Sequence, residues 1–254
     1  MKKKIFDIIE NYSFQELFLI FVERKLKLRL PISPKLRWKF NISSEIRFWD
    51  KCIRTNGLIW PEEYKLRLDP FLPLQEEIVK LLPKKKIINI LDVGAGPLTY
   101  LGKIYKDVKI NIIAVDPLAE VYDKLLRKYS LVPLIRTKKL DAEKLTTKFA
   151  ECSFDLVFAR NCIDHSYSPV NAILEMLKVT RNNCHVLLMH RPNEAEKENW
   201  RGLHQWNFSE EEGDFIISSK EKKINFSRSY SNLCDIKCWY DITDDMLYTQ
   251  ILKK

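Results

Sequence analysis

The spacing of apolar residues changes character once along the chain. Up to about residue 82 they recur at helical intervals, and from residue 87 they bunch into strand-length runs. Ile5, Ile8, Ile9 and Tyr12, then Phe14, Leu17, Phe18, Phe21 and Val22, predict one or two amphipathic helices over 5–30, ended by Pro31 and Pro34. Ile42, Ile46, Trp49 and Ile53 predict a helix over 41–56, with Asn56-Gly57 as its stop. A proline-punctuated stretch follows, through Pro61, Pro70 and Pro73, and leads into a short helix over about 74–82. Thereafter the segments 87–93, 110–115, 134–137, 154–159 and 185–189 read as strands, and 98–106, 117–129 and 168–180 between them as helices. Strands alternating with helices imply βαβ units in a parallel sheet. After residue 213 short strands over 215–218, 224–227, 236–240 and 246–252 predict antiparallel hairpins that finish the sheet. The predicted fold is therefore α/β: a doubly wound, mostly parallel sheet with antiparallel C-terminal strands over 84–254. A helical N-terminal extension, 1–83, is expected to cap the active site.

With 46% hydrophobic and 30% charged residues, the 254-residue chain has the balance of a globular protein and not of a disordered one. The net charge of +9 is unevenly placed. Residues 1–86 hold 19 Lys and Arg against 11 Asp and Glu, whereas 87–254 hold 24 against 23. Arg24, Lys25, Lys27, Arg29, Lys35, Arg37 and Lys39 gather around the two prolines. Such a patch suits an anionic neighbour (a phosphorylated substrate, a membrane surface or nucleic acid) or is simply a solvated face of a lysine-rich chain. Six cysteines without a C-x-x-C pair read as reduced, cytoplasmic usage. Cys234 and Cys238 could share a helix face or meet a distant His at a metal, yet zinc-type spacing is missing and no metal is predicted. The lysines at the N-terminus are followed by Asp7, Glu10 and Glu16, which argues against a signal peptide. The longest apolar run, 17–22, falls far short of the roughly 20 residues of a bilayer span, so a soluble protein is expected.

Only six glycines occur, and two of them stand in Ile90-Leu91-Asp92-Val93-Gly94-Ala95-Gly96-Pro97, at the end of the first predicted strand. Glycine there lets the backbone approach a ligand with no Cβ in the way. Asp116, with Pro117 after it, ends the second strand and could accept both hydroxyls of a ribose. Asp141-Ala142-Glu143 follows the third, where a side chain could meet an adenine amine, and Asn161 follows the fourth, at the amino-acid or substrate end. The dinucleotide pattern G-x-G-x-x-G fails, because its third position holds Thr99. Over about 87–190 these motifs resemble the class I S-adenosylmethionine-dependent methyltransferases, whose D-x-G-x-G turn is followed by an acidic residue ending strand two. The resemblance implies a Rossmann-like fold and S-adenosyl-L-methionine as cofactor. One departure is Leu98, where many members have a further glycine. Trp60-Pro61-Glu62-Glu63-Tyr64, Asn161-Cys162-Ile163-Asp164-His165-Ser166 and Gly202-Leu203-His204-Gln205-Trp206-Asn207-Phe208 look like a bacterial subgroup of these enzymes. For that subgroup, modification of a surface-polysaccharide precursor or small metabolite is the implied role.

Methyl transfer asks the protein for alignment and water exclusion, and a hydroxyl acceptor also asks for a base. His165 is the first candidate, with Asp164 to orient it, and His204 the second. The alternative for Asp164 and His165 is a helix cap before Ser168-Pro169. His190 and Arg191 border the same cleft, Trp60 and Tyr64 are candidate lid residues, and Gln205, Trp206 and Asn207 suit the face of a sugar. The expected function is O-methylation of a small molecule or saccharide. An RNA methyltransferase using the basic segment, or a methyltransferase for lipid-linked glycans at a membrane surface, is the alternative. A nucleic-acid partner is disfavoured, since no RNA-binding module is recognisable and no Asn-Pro-Pro-aromatic motif follows strand four.

Overall fold

In the computed structural model, residues 32–254 are described, together with Phe14, Leu17, Phe18, Phe21 and Val22, which are helical. Most of the helical segment expected over 5–30, with Pro31 and the cations Arg24, Lys25, Lys27 and Arg29, lies outside the described residues.

Helix α1, Pro34–Arg54, begins earlier than the sequence suggested. Pro34 starts this helix and does not end the previous one: it occupies the first turn, where a missing N–H costs nothing. The Ser33 hydroxyl caps it by accepting from the Leu36 amide. A second helix, α2 (Pro61–Leu68), occupies the stretch read as merely proline-punctuated, again with proline first and Glu62 and Glu63 in the opening turn. Helix α3, Glu76–Val79, is a single turn within the predicted 74–82.

The main sheet contains β1 (Ile87–Val93), β2 (Lys109–Asp116), β3 (Lys138–Lys139), β4 (Phe154–Arg160), β5 (Thr180–His190), β9 (Cys234–Asp241) and β10 (Met246–Lys253). Their order is β3-β2-β1-β4-β5-β10-β9. The first five are parallel, whereas β10 runs antiparallel to both β5 and β9. Buried on both faces, β1 and β4 read as near-continuous apolar runs. Helix α4 (Ala119–Lys128) follows β2, a 3-10 helix (Ala142–Thr147) follows β3, and α5 (Pro169–Val179) follows β4. After β5 come the single-turn α6 (Glu194–Lys197), then β6 (Asn207–Glu211), β7 (Asp214–Ser218) and β8 (Lys223–Asn225), with α7 (Phe226–Ser229) between β8 and β9. Strands β6–β8 form a separate antiparallel sheet and do not finish the main one. Its first hairpin turns at Glu212-Gly213, both with positive φ, as a two-residue hairpin loop requires.

Two expected elements are replaced. No helix forms over 98–106: the Lys103 amide donates to Leu72 O (2.7 Å), the Leu74 amide to Ile104 O (2.8 Å), and the Gln75 side chain ties Tyr100 O and the Gly102 amide. A Cβ at Gly102 would stand 2.0 Å from Pro73 O, so glycine permits this close pairing of two chain segments in place of a helix. The third strand lies at Lys138–Lys139, just after the predicted 134–137, where the apolar Leu134 is 65% exposed. Cys234 and Cys238 lie on a strand, buried and unbonded to each other, and all six cysteines are free. No helix of the described residues is long and apolar enough to cross a membrane.

The order β2-β1-β4-β5 reverses winding between β1 and β4, which opens a crevice beyond the carboxyl ends of those two strands. Helix α1 lies along one side of it and packs on α4: Trp49 meets Tyr122 edge-on at 6.2 Å, and Asp50 accepts from Lys128 and Tyr129.

Candidate active site

The crevice is a cavity of about 850 Å³, within the range of small-molecule sites. Its floor is the turn after β1. Gly94 and Gly96 both have positive φ (69° and 62°), and a Cβ on either would strike Cys162 Sγ at 2.4 Å or Trp49 Cζ2 at 2.7 Å. Only glycine serves at both positions. The turn is tied across the sheet: the Gly96 amide donates to Asp116 Oδ2 (3.2 Å), the Leu118 amide to Asp116 Oδ1 (2.8 Å), and Thr137 Oγ1 to Gly96 O (2.6 Å). Asp92, beneath it, accepts from the Thr99 hydroxyl. Burial pushes the Asp92 carboxyl up to about 7 and that of Asp116 up to about 6, against the opposing effect of those hydrogen bonds. Each therefore gains from a ligand that donates hydrogen bonds or brings positive charge.

All ten residues expected to hold the cofactor line this one cavity: Asp92, Gly94, Ala95 and Gly96, then Asp116 and Pro117, then Asp141, Ala142 and Glu143, and Asn161. Glu143 accepts from the Ser168 amide (3.2 Å), and burial raises its carboxyl to about 7. Asn161 adopts positive φ (46°) and its side chain accepts from the Arg191 amide.

The cavity is also lined by residues that the sequence reading passed over. Glu63 of α2 takes both Arg160 guanidinium nitrogens at the end of β4 (2.8 and 3.1 Å), and also Arg67 (2.7 Å). Burial favours the neutral acid, but Arg160 and Arg67 outweigh it and hold the Glu63 carboxyl at about 2. Arg160 stacks over Tyr100 at 4.1 Å, and its buried Nε has no partner. A basic residue ending an apolar strand was a signal available in the sequence. Glu45 and Trp49 of α1 face the same space, and burial, helped by the charge of Asp116, raises Glu45 to about 7. Periodicity marked Trp49 only as a core position.

On the acceptor side, His165 Nε2 and His204 Nδ1 stand 3.1 Å apart, both lining the cavity. Burial lowers each imidazole to about 4, so both are neutral near pH 7. Asp164 lies behind them, buried, with Oδ2 3.4 Å from His165 Nε2. Neither of its oxygens meets a donor in hydrogen-bond geometry. Burial raises the Asp164 carboxyl, and nearby imidazoles and backbone amides oppose that only in part. Trp60, Tyr64 and Arg191 line the cavity too.

Four expected substrate contacts lie elsewhere. His190 is 1% exposed, faces the Cys162 and Ile163 amides with Nε2 and packs on Phe208. Gln205 turns back to Trp200 O and Gly202 O, closing its own loop. Trp206 is buried in the core beside Phe208, and Asn207 opens β6, where its side chain accepts from the Glu196 amide. In each case the side chain's polar groups or apolar surface are used to fix the segment after β5, which leaves His204 as its cavity-facing member together with Leu203, Gly202 and Arg201.

The donor set fits S-adenosylmethionine. A glycine cradle closed to any Cβ, the buried carboxyls of Asp116 and Asp92, which would suit ribose hydroxyls and an ammonium, and Arg160, which would suit a carboxylate, all line one cavity.

A family model described as a methyltransferase domain matches residues 91–188. No curated protein sequence matches the chain. Among solved structures it is similar to a proposed S-adenosyl-L-methionine-dependent methyltransferase from Methanococcus maripaludis, at 14% identity over 89% of this chain and 96% of that one, with a TM-score of 0.49. It is also similar to a SAM-dependent methyltransferase from Aquifex aeolicus (15%, 80% and 97%, 0.46) and to YcgJ from Bacillus subtilis (14%, 70% and 97%, 0.40). The family match spans residues 91–188, from the end of β1 through most of β5, and over these residues the chain is similar to a methyltransferase domain.

Proposed function

We propose that the chain O-methylates a small hydroxylated acceptor, a saccharide or surface-polysaccharide precursor, in the cytoplasm. Residues 1–83 would act as the cap and 84–254 as the catalytic domain. The observation that carries this reading is the His165–His204 pair, two neutral imidazoles that line the same cavity as the glycine turn. When bound, S-adenosylmethionine supplies a methyl group activated on a sulfonium. Asp116 would hold its ribose, Asp141 or Glu143 its adenine, and Asp92 with Arg160 its amino-acid end. The chain's own task is then to seat the acceptor hydroxyl, exclude water and take up a proton. Trp38, Phe48 and Trp60, which line the outer cavity, offer flat apolar faces suited to sugar rings, and a neutral imidazole can receive the hydroxyl proton.

The test is radiolabelled methyl transfer to a panel of monosaccharides and nucleotide sugars. His204→Ala should lose about 100-fold in turnover while S-adenosylhomocysteine affinity stays within about three-fold. Unchanged turnover would return the imidazole pair to a packing role.

A membrane-surface acceptor is the second reading, favoured by one observation. Phe14, Phe18 and Phe21 fall at helical spacing and are 84%, 50% and 55% exposed. Flotation with anionic liposomes tests it, and a Phe14→Ser/Phe18→Ser chain should stay unbound. Of the basic cluster's described cations, Arg37 is buried, Lys35 sits over Tyr167 and Lys39 is exposed, which gives the RNA reading no comparable patch among the described residues.

A further inference from the structure

We propose that Asp164, His165, Glu194 and His204 form a divalent-metal site on the acceptor side of the cavity, of a kind suited to Zn²⁺ or another first-row transition cation. These residues arrive from three places: the turn after β4 supplies Asp164 and His165, α6 supplies Glu194, and the loop before β6 supplies His204. One ligand atom from each lies within 4.8 Å of all the others.

Two of the spacings match those of ligands around one ion. With metal–ligand bonds of about 2.0–2.1 Å, two ligands sit about 2.9 Å apart at a right angle and about 3.4 Å apart at the tetrahedral angle. His165 Nε2 and His204 Nδ1 are separated by 3.1 Å, and His165 Nε2 and Asp164 Oδ2 by 3.4 Å. A direct imidazole–imidazole hydrogen bond explains the first distance alone.

Asp164 supplies an independent observation. Its side chain is 3% exposed, its two oxygens have no hydrogen-bond partner, and no Lys or Arg among the described residues pairs with it. A buried carboxylate without a partner is destabilising unless a cation or a proton compensates it. Three of the four ligands line the cavity and Asp164 closes the site from behind, so a cation there would answer that carboxylate and still face the acceptor. Two imidazoles with two carboxylates select zinc, manganese, iron or cobalt over magnesium or calcium, which prefer oxygen alone. His165 Nδ1 faces Glu45 Oε2 at 3.9 Å, so the ring nitrogen turned away from the site has a carboxylate toward it, as ligating imidazoles commonly do.

This inference rests on the O-methylation reading only for its purpose. A hydroxyl bound to such a cation would lose its proton to water far more readily, just as zinc lowers the pKa of the water it binds to about 7. The cation, in place of a free imidazole, would then prepare the acceptor oxygen.

The experiment uses the full chain stripped with a chelator and titrated with ZnCl₂ by calorimetry, and with CoCl₂ by visible absorption. S-adenosylhomocysteine is titrated separately into the same stripped protein. One equivalent of Zn²⁺ per chain is expected, with cobalt d–d bands and no thiolate charge-transfer band. Asp164→Asn and His204→Ala should each weaken Zn²⁺ binding about 100-fold while circular dichroism stays unchanged. If either variant fails to fold, Glu194→Gln decides by the same criterion. No stoichiometric metal in the wild type, binding unmoved by all three variants, or a thiolate band tracing the metal to a cysteine such as the exposed Cys152 would each overturn the site. A wild type that binds S-adenosylhomocysteine but no Zn²⁺ fails this inference alone. The converse fails the cofactor reading.

Discussion

Replacing Gly96 with alanine should damage cofactor binding by an amount the turn itself sets. Gly96 sits at φ 62°, where an alanine costs about 1–2 kcal/mol. Its new Cβ would also stand 2.7 Å from Trp49 Cζ2 and 3.0 Å from Cε2, closer than atoms of this kind approach. The indole cannot simply swing away, because its Nε1 donates to Glu45 (2.9 Å) and its ring meets Tyr122. The turn must therefore leave its ligand-ready shape, and binding must restore it. The backbone cost alone corresponds to about 5- to 30-fold weaker binding, and the contact with Trp49 adds to that. Calorimetric titration of S-adenosylhomocysteine measures it. Gly213→Ala is the control, since Gly213 also has positive φ (85°) but a Cβ there meets nothing within 4 Å. It should cost stability and leave affinity unchanged. Trp49→Ala in the Gly96→Ala background should recover the contact part and not the backbone part, so the two variants should couple. Gly96→Ala binding within two-fold of wild type would refute the claim that this turn cradles the ligand.

S-adenosylhomocysteine affinity should rise with pH between about 5.5 and 7.5, because burial raises Asp116 to about 6 and Asp92 to about 7, and the ligand's donors favour the ionised forms. Titration in two buffers of different ionisation enthalpy should show protons released on binding near pH 6.5, and zero release would count against both assignments. Glu63→Ala should leave Arg160 and Arg67 without their shared carboxylate and cost about 2 kcal/mol at pH 7, read from denaturant midpoints. Because Glu63 is held at about 2 in the fold, below its usual value of about 4.3, its contribution is fully present above pH 4.3 and is lost as pH falls toward 2; the variant and wild type should converge in stability over that window.

The parallel core was legible because its strands are buried on both faces and its long helices are amphipathic. Ile87–Val93 was read with its true ends, and Ala119–Lys128 and Pro169–Val179 fell inside the predicted helices. The turn at Gly94 and Gly96 was legible because glycine is rare in this chain and stood at the end of a buried strand. What failed was periodicity in segments that another segment completes. Residues 98–106 carry apolar spacing compatible with a helix, yet their backbone groups are met by residues 72–75, a pairing no local window contains. The segment of Gln205, Trp206 and Asn207 was chemically rich for a different reason. Its amides and indole hold the chain after β5 in place, and His204 gains a fixed position from them. The extension was expected to cap the site through Trp60 and Tyr64, but Glu45, Trp49 and Glu63 were not marked, because which faces of α1 and α2 meet the crevice is set by tertiary packing.

The account's central claim is that the crevice between β1 and β4 binds S-adenosylmethionine through Asp116 and the glycine turn. Calorimetric titration of wild type and Asp116→Ala with S-adenosylhomocysteine, and of the wild type with NAD, tests it most directly. One molecule of S-adenosylhomocysteine per chain, bound at least about ten-fold more weakly by Asp116→Ala with its two ribose hydrogen bonds lost, is the predicted result. A wild type that ignores S-adenosylhomocysteine while binding NAD would contradict it.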